Sequence, residues 1–223
     1  MNSSRKGVGM TSQRTRDRLI ARLRDKGISD DRVLEVMSVV PRHLFVDEAL
    51  ASRAYEDDAL PIGFGQTISQ PYIVALMTSA LLTDSVPRRV LEVGTGCGYQ
   101  TAILASLIDD VYTVERVEPL MKSARRRLVG LRYRNIHYRL ADGSLGWPQQ
   151  APFDAIITTA AAVEMPGALK EQLVEGGRLV IPVGQGGVQE LRLITRTPDG
   201  FEENLLELVN FVPLISGEGV TTR

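Results

Sequence analysis

The apolar positions at the start of the chain follow a helical period. Over residues 13–25, leucine and isoleucine recur at helical spacing with arginines on the other faces, which predicts an amphipathic helix. The stretch SDDRVLEVMSVV predicts a second helix, with Ser29 or Asp30 as its N-cap. We therefore expect residues 13–60 to form a mostly helical extension, preceded by a loose tail over residues 1–12.

From residue 61 onward, short apolar runs alternate with helical segments. A helix predicted to begin at Pro71 is followed by the strands VLEV, VYTVE, IHYRL and FDAIITTA, which alternate with the helices YQTAILASLI and PLMKSARRRLVGL. MPGALKEQL is expected to be a helix that ends near Gly176, and RLVIPVG, ELRLITRT and FEENLLELVNFVPLI are expected to be strands. Such alternation is typical of βαβ units with a mostly parallel sheet.

The predicted fold class is therefore α/β, with a doubly wound, Rossmann-like sheet covered by helices on both faces. We expect one domain over residues 13–223, in which residues 61–223 are the α/β core. The late runs predict one or two antiparallel strands at the end of the sheet.

Composition and charge exclude several classes of protein. Lys and Arg number 26 against 27 Asp and Glu, for a formal charge of −1, and aromatic residues make up 5%. Proteins that bind nucleic acids typically have an excess of basic residues and a surface rich in aromatic residues, and this composition offers neither. We therefore expect no nucleic-acid partner. The chain has no apolar run long enough for a membrane span and no apolar segment behind its basic start, which favours a cytoplasmic protein.

The remaining composition predicts neither a disulfide nor a metal site. Cys97 is the only cysteine, and the two histidines, His43 and His137, are far apart in the sequence. No long amphipathic helix is left over, which favours a monomer.

A glycine-rich loop follows the strand VLEV. VLEVGTGCGYQTA places Gly94, Gly96 and Gly98 between a strand and a helix, where the chain turns tightly and a ligand approaches the backbone. Glu115 ends the next strand, 21 positions after Gly94, where an acidic residue would hold the ribose hydroxyls of an adenosine. A tight turn without a ligand is the alternative for the glycines alone, but the pair predicts a nucleoside cofactor.

The glycine spacing distinguishes between cofactors. A dinucleotide site has GxGxxG, whereas this loop has GxGxG with Glu92 two residues before the first glycine. A carboxylate there would repel a pyrophosphate and favour a ligand with an ammonium group. The loop resembles the S-adenosylmethionine loop of class I methyltransferases, and Asp142-Gly143 resembles their adenine-contacting turn, although a plain turn is an equal alternative for those two residues.

The segment GFGQTISQP identifies a family more closely. Together with RVLEVGTGCGYQTAIL, FDAIITTAA and FVPLISGE, it resembles the protein-L-isoaspartate O-methyltransferases from about residue 13 to residue 218. The resemblance implies methyl transfer from S-adenosylmethionine to the carboxylate of L-isoaspartyl residues in damaged proteins, whose ester then collapses to a succinimide. It places the active-site residue at Ser69 and gives the following predicted cofactor contacts: Ile68, Glu92, Gly94, Gly96, Cys97, Gly98, Glu115, Asp142 and Gly143.

The sequence leaves two roles open for Ser69. It stands two residues before Pro71, where a serine commonly caps a helix, and the resemblance makes it the residue that orients the substrate carboxylate. We do not expect it to be a covalent nucleophile, because no histidine lies near it in sequence. The resemblance also implies that residues 63–68 and the segment FVPLI form a cleft for an extended peptide.

Some positions depart from the family pattern. Phe64 stands where many members have glutamine, and we expect it to line the cleft instead. TTAAAVEMPGAL and ADGSLGWP also differ from the usual sequences. These departures concern substrate preference.

Two alternatives to the predicted function remain. One is a class I methyltransferase for another substrate, such as RNA or a small molecule, and the other is a nicotinamide-dependent oxidoreductase.

Overall fold

The computed structural model describes residues 9–82, 85–215 and 217, and their N-terminal part is helical as predicted. Residues 1–8 of the predicted tail lie outside the described residues, and its last residues form a short helical turn and the N-cap Ser12. The elements of this part are a 3-10 helix (Gly9–Thr11), α1 (Gln13–Asp25), α2 (Asp31–Val39) and two further 3-10 helices (Arg42–Phe45 and Glu48–Arg53).

Asp30 is the N-cap of α2. Its carboxylate accepts hydrogen bonds from the backbone N–H groups of Arg32 and Val33 at 3.0 and 3.4 Å. These groups belong to the first turn, where N–H donors have no partner within the helix. The cap therefore explains why α2 begins where the sequence predicts.

A short hairpin follows the extension and leads into α3. β1 (Leu60–Gly63) and β2 (Gln66–Ile68) are antiparallel, and the two residues between them, Phe64 and Gly65, both have positive φ, 55° and 69°. Two-residue hairpin turns commonly require this conformation, which is unusual for phenylalanine. α3 (Pro71–Leu81) then begins with a proline, whose missing N–H costs nothing in a first turn.

A seven-stranded sheet forms the centre of the chain in the order β5-β4-β3-β6-β7-β8-β9. Neighbouring strands are parallel from β5 to β7, and β8 and β9 are antiparallel additions. This confirms the predicted fold class, including the late antiparallel strands. The strands are β3 (Arg89–Val93), β4 (Asp110–Glu115), β5 (Ile136–Leu140), β6 (Phe153–Thr158), β7 (Leu173–Val183), β8 (Gln189–Thr197) and β9 (Gly200–Val209).

Three helices connect the parallel strands: α4 (Tyr99–Ala105), α5 (Glu118–Gly130) and α6 (Gly167–Glu171). The prediction that α6 extends towards Gly176 is wrong. The backbone N–H of Phe153 donates to the Gln172 carbonyl at 2.8 Å, so pairing with β6 takes the chain into β7 directly after α6. Local helical propensity is overridden there by the sheet.

The predicted last strand is also too long. β9 ends at Val209, and the segment FVPLI leaves the sheet edge. Ala161 instead donates its N–H to the Val212 carbonyl at 2.8 Å and accepts from the N–H of Leu214 at 2.7 Å. The segment therefore runs beside the residues that follow β6, at the carboxyl ends of the parallel strands.

The core lies on both sides of the sheet and below the helical extension. Alternate residues of β3 point to opposite faces: Val90 packs with Met77 of α3 and Leu104 of α4, whereas Leu91 packs with Leu169 of α6. A third cluster joins the extension to α4 and α5, and it includes Leu19, Leu23, Phe45, Tyr99, Ile103 and Leu128. Each fully buried large side chain contributes about 1.5–3 kcal/mol, so the extension is a packed part of the core.

Candidate active site

A cleft of about 350 Å³ opens at the carboxyl ends of β3, β4 and β6. Ligands of doubly wound sheets commonly bind at this edge. The cleft is lined by six segments of the chain: the hairpin (Phe64, Gln66, Thr67), the end of β3 with the loop that follows it (Val93, Gly94, Gly96), the end of β4 with the residues that follow it (Val114, Glu115, Arg116, Val117), Gly143, the residues after β6 (Thr159, Ala160), and the final segment (Val212, Pro213, Leu214, Ile215).

The three predicted glycines of the loop have different neighbours. All have positive φ, 98° at Gly94, 52° at Gly96 and 89° at Gly98, a region that other residues rarely adopt. Gly94 and Gly96 line the cleft, and a Cβ at Gly94 would collide with Oγ1 of Thr159. Gly98 faces α5 instead, where a Cβ would lie 3.0 Å from Cδ1 of Leu128.

Glu115 lines the cleft beside the glycine loop, as predicted. Its Oε2 accepts a hydrogen bond from the N–H of Gly96 at 2.9 Å, and its Oε1 accepts from the N–H groups of Arg116 and Val117, both at 2.8 Å. These donors fix the carboxylate at the end of β4. Oε2 accepts only one of these three bonds, so a further lone pair on that oxygen is left for a ligand hydroxyl.

Only one residue of the predicted adenine turn reaches the cleft. Gly143 lines it, and a Cβ there would collide with Cγ1 of Val93. Asp142 instead holds the turn together, because its carboxylate accepts from the N–H of Ser144 at 2.8 Å and from the N–H of Gly217 at 2.6 Å. Burial alone would raise the pKa of Asp142, but these hydrogen bonds outweigh it and lower the pKa.

Glu92 does not line the cleft, so its contact with the cofactor stays a prediction. Its side chain is fully buried below the loop, where Oε2 accepts from the hydroxyls of Thr101 and Thr113, each at 2.6 Å. Burial raises the pKa of Glu92 to about 8, against the opposing effect of the two hydroxyls. The raised pKa favours the protonated acid near neutral pH, and a protonated acid would not repel a pyrophosphate as the sequence argument assumes.

Cys97 and Ile68 also lie outside the cleft lining. Cys97 is buried on the far side of the loop, in a second cavity that contains Phe45 and Leu120, and its carbonyl accepts from Nη1 of Arg127 at 2.7 Å. Ile68 is buried in the cluster below the extension. Both side chains therefore support the walls of the site from behind.

Ser69 follows β2 directly, next to the hairpin wall of the cleft. It is half-buried, and it is not the N-cap of α3, because that position belongs to Gln70. The first turn of α3 is capped from a distance: Oδ1 of Asp57 accepts from the N–H of Tyr72 at 2.9 Å. Within the described part of the chain, Oγ of Ser69 makes no hydrogen bond, whereas its carbonyl accepts from Nη2 of Arg42 at 2.8 Å.

Several cleft residues were not among the predicted cofactor contacts. Phe64 lines the cleft, in agreement with the expectation for that departure from the family pattern, and Gln66 and Thr67 lie beside it. Thr159 directly follows β6, and its hydroxyl donates to the Gly94 carbonyl at 2.6 Å. Because ligands commonly bind at the carboxyl ends of parallel strands, the position of Thr159 after β6 could have predicted it as a cleft residue.

Neither a metal nor a membrane segment is indicated by the described ranges. Residues 9–82, 85–215 and 217 contain no group of three or more His, Cys, Asp or Glu side chains that is arranged to hold a metal ion. No helix within those ranges combines the length and the apolar character needed to cross a membrane. His43 pairs through Nδ1 with the Tyr55 hydroxyl at 2.8 Å, and His137 stacks on Tyr112.

Comparisons with known proteins agree on one family. The family model described as protein-L-isoaspartate(D-aspartate) O-methyltransferase matches residues 14–219. A protein-L-isoaspartate O-methyltransferase from Hahella chejuensis is 59% identical over 93% of this chain and 99% of its own length, and one from Halorhodospira halophila is 57% identical over 95% and 96%.

Solved structures show the same similarity. A protein-L-isoaspartate O-methyltransferase matches with a TM-score of 0.81 and 28% identity over 92% of this chain and 67% of its own. A Plasmodium falciparum protein described as a protein-L-isoaspartate O-methyltransferase, in complex with S-adenosyl-L-homocysteine, matches with a TM-score of 0.76 and 28% identity over 90% of this chain and 98% of its own. With a family match over nearly its whole length, the chain belongs to the protein-L-isoaspartate(D-aspartate) O-methyltransferase family.

Proposed function

We propose that this methyltransferase binds S-adenosylmethionine in the cleft and methylates the carboxylate of L-isoaspartyl residues presented beside Ser69. The observation that carries the proposal is the meeting of two features at one cleft. The left-handed glycine pair and Glu115 form one wall, and the hairpin that leads into Ser69 forms another. The first wall suits a nucleoside cofactor, and the second suits an extended peptide.

The lining residues fit the cofactor. Gly94 and Gly143 pack directly against Thr159 and Val93, because a Cβ at either glycine would collide with that side chain. Oε2 of Glu115 would accept from a ribose hydroxyl, and Val93, Val114, Val117 and Leu214 supply apolar surface for a purine. We propose Gly94, Gly96, Glu115 and Gly143 as direct contacts, with the other predicted cofactor residues in supporting roles.

The reaction requires positioning more than acid–base catalysis. When bound, S-adenosylmethionine supplies a methyl group on a positively charged sulfur. A carboxylate oxygen forms the new bond to that methyl carbon as the carbon–sulfur bond breaks, so no proton needs to be removed. Holding the reacting atoms in line contributes roughly 7–11 kcal/mol, and the apolar walls exclude water from the opposite charges that neutralise each other.

Ser69 would hold the acceptor carboxylate. Its hydroxyl has no partner among the described residues, so it is available to donate to a carboxylate oxygen. A hydrogen bond to a charged group contributes about 1.5–3 kcal/mol, which corresponds to roughly 10–100-fold in rate when it is made at the transition state. Because the substrate is already a nucleophile, this role needs no activated serine.

The substrate would be recognised through its kinked main chain. Gln66 and Thr67 of β2 and Leu214 all line the cleft, and recognition through the main chain of such segments would suit damaged sites in many different sequences. We further propose that the chain acts as a cytoplasmic monomer of one domain without a nucleic-acid partner. Its near-neutral charge and the core shared by extension and sheet support this proposal, and sedimentation at 24.5 kDa is the measurement for the monomer.

The deciding experiment measures transfer of labelled methyl from S-adenosylmethionine to two synthetic peptides that differ only in L-isoaspartate or L-aspartate at one position. We expect label on the isoaspartyl peptide alone, and about a 10–100-fold lower kcat/KM in Ser69→Ala. Ser38→Ala is the matched control, because Ser38 is also half-buried but lies at the end of α2 and does not line the cleft.

Two results would contradict the proposal. Labelling of added RNA but of neither peptide would overturn the substrate. Labelling of the isoaspartyl peptide that is unchanged in Ser69→Ala would keep the reaction and overturn the role of Ser69.

A further inference from the structure

Arg42 is a fully buried cation that contacts the backbone just before α3. It begins the 3-10 helix Arg42–Phe45 and has none of its surface exposed. Nε donates to the Ala54 carbonyl at 2.8 Å, and Nη2 donates to the Ser69 carbonyl at 2.8 Å and to the Asp58 carbonyl at 3.5 Å. One guanidinium therefore ties the helical extension to the residue proposed to hold the substrate.

Burial of the Arg42 charge costs free energy of folding, so a contribution to stability does not account for it. Among the described residues no carboxylate forms an ion pair with Arg42, and Nη1 is buried without a hydrogen-bond partner. Its guanidinium lies 4.9 Å from the centre of the Tyr99 ring, which compensates part of the lost hydration. A buried charge without an acid is commonly less favourable than an apolar side chain of similar volume, so packing does not explain an arginine here.

The geometry of the contacts does explain it. A guanidinium is planar and directs Nε and Nη2 along fixed directions, here to carbonyls of two segments that are 15 residues apart, Ala54 and Ser69. A lysine has one nitrogen on a flexible stem and does not reproduce this fork. Tyr72 lies three residues after Ser69, and its N–H donates to Oδ1 of Asp57. Side chains from the extension therefore hold both ends of the segment from Ser69 to Tyr72.

We propose that Arg42 is a positioning residue for methyl transfer: through the Ser69 carbonyl it fixes the backbone that carries the Ser69 hydroxyl. The inference rests on the proposed role of Ser69 in holding the substrate carboxylate. Ser69 has no hydrogen bond on its own hydroxyl, so the anchored carbonyl is what sets the place of that hydroxyl relative to the cleft. Arg42 does not line the cleft and would not touch cofactor or peptide.

The test is a double-mutant cycle with Arg42→Lys, Ser69→Ala and the double variant. The measured quantities are kcat/KM for the isoaspartyl peptide and Kd for S-adenosylmethionine. We expect Arg42→Lys to lower kcat/KM roughly 10–100-fold, the size of effect that a misplacement of about 1 Å produces. The Kd for S-adenosylmethionine should stay within about twofold, and in the Ser69→Ala background the lysine should change kcat/KM by less than about threefold.

Arg89→Lys is the matched control for lost stability. Arg89 also uses its guanidinium fork on two carbonyls, those of Pro152 and Gln150 at 3.0 and 2.7 Å, and it lies over a tyrosine ring, but it begins β3 at the end opposite the cleft. Its variant should lower the melting temperature and leave kcat/KM within about twofold. If Arg42→Lys does not fold, Arg42→Gln removes the buried charge and keeps an NH₂ donor for the same cycle.

The outcomes separate this inference from the function on which it rests. Equal fold-losses from Arg42→Lys in the wild-type and Ser69→Ala backgrounds would show a general structural effect and overturn the positioning role. An unchanged kcat/KM in Arg42→Lys would overturn it as well. No effect of Ser69→Ala by itself would instead overturn the proposed role of Ser69, whatever Arg42 does.

Discussion

Glu92 shows how a single buried acid is controlled by its surroundings. Two threonine hydroxyls donate to Oε2, whereas Oε1 is buried without a partner among the described residues. Thr113 also bonds the hydroxyl of Thr95 in the glycine loop at 2.5 Å, so the acid is linked to the loop from below. A protonated carboxyl in this position joins β3, α4 and the loop without placing a charge beneath the loop.

This protonation predicts a pH dependence of stability. The pKa of Glu92 is about 8 in the folded chain against an ordinary value of 4.5, so between these values the folded state keeps a proton that the unfolded state has lost. Stability should therefore fall as pH rises through this window, by at most about 1.4 kcal/mol per pH unit from this group. In Glu92→Gln this contribution should be absent.

The measurement is urea unfolding of the wild type and Glu92→Gln at pH 5, 6, 7 and 8. The difference in free energy of unfolding should shift in favour of the variant as pH rises. Parallel pH profiles for the two proteins would show that Glu92 does not hold a proton in the folded state.

At the scale of elements, the glycine loop combines strained backbone with close packing. Gly94→Ala would place a Cβ against Thr159 in addition to a side chain at a φ of 98°. We expect a loss of about 1–3 kcal/mol of stability from the backbone alone, and at least tenfold weaker binding of S-adenosylmethionine because the cleft must open to relieve the collision.

Gly27→Ala is the control for the backbone effect. Gly27 has a φ of 95°, almost the same as Gly94, but a Cβ there would have no atom within 4 Å, and it lies after α1, away from the cleft. It should lose stability and keep its affinity in calorimetric titration. Equal affinities in Gly94→Ala and the wild type would contradict the assignment of this loop to the cofactor.

Secondary structure was predictable where local and tertiary signals agree. The period of α1, the N-cap of α2 at Ser29 or Asp30, Pro71 at the start of α3, and the apolar runs of β3, β4 and β6 were all found in the sequence. The length of α6 was not, because pairing between Phe153 and Leu173 overrides a helical pattern. Such pairing depends on residues 20 positions apart and leaves no local mark.

The site was predictable in its backbone and less so in its side chains. The glycines and Glu115 follow from the strand–turn–helix pattern, which fixes the path of the chain. The direction of a side chain depends on what the neighbouring elements leave open, and for Glu92 and Cys97 that space lies behind the loop. The role of Arg42 could not be predicted from the sequence, because it donates to backbone carbonyls, and every residue type has a carbonyl.

At the scale of the whole molecule, cofactor binding should stabilise the fold as a unit, since one cleft draws on elements from the hairpin to the final segment. S-adenosylmethionine at 100 times its Kd should add about 2.7 kcal/mol, or roughly 5–10 °C in melting temperature for a chain of this size.

NADH is the comparison ligand, and it should leave the melting temperature unchanged. Stabilisation by NADH and not by S-adenosylmethionine would point to a nicotinamide-dependent enzyme on the same fold. Both ligands are measured by the same thermal unfolding experiment.

The wall made by Val212 to Ile215 also bears on biosynthesis. A chain made from its N-terminus has the glycine loop early, but the cleft lacks one side until residue 215 has emerged and Leu214 has paired with Ala161. We therefore expect a nascent chain to hold no cofactor before residue 215 has emerged, even when its parallel strands have formed. Repair of other proteins would begin only after this segment has been synthesised and has paired with Ala161.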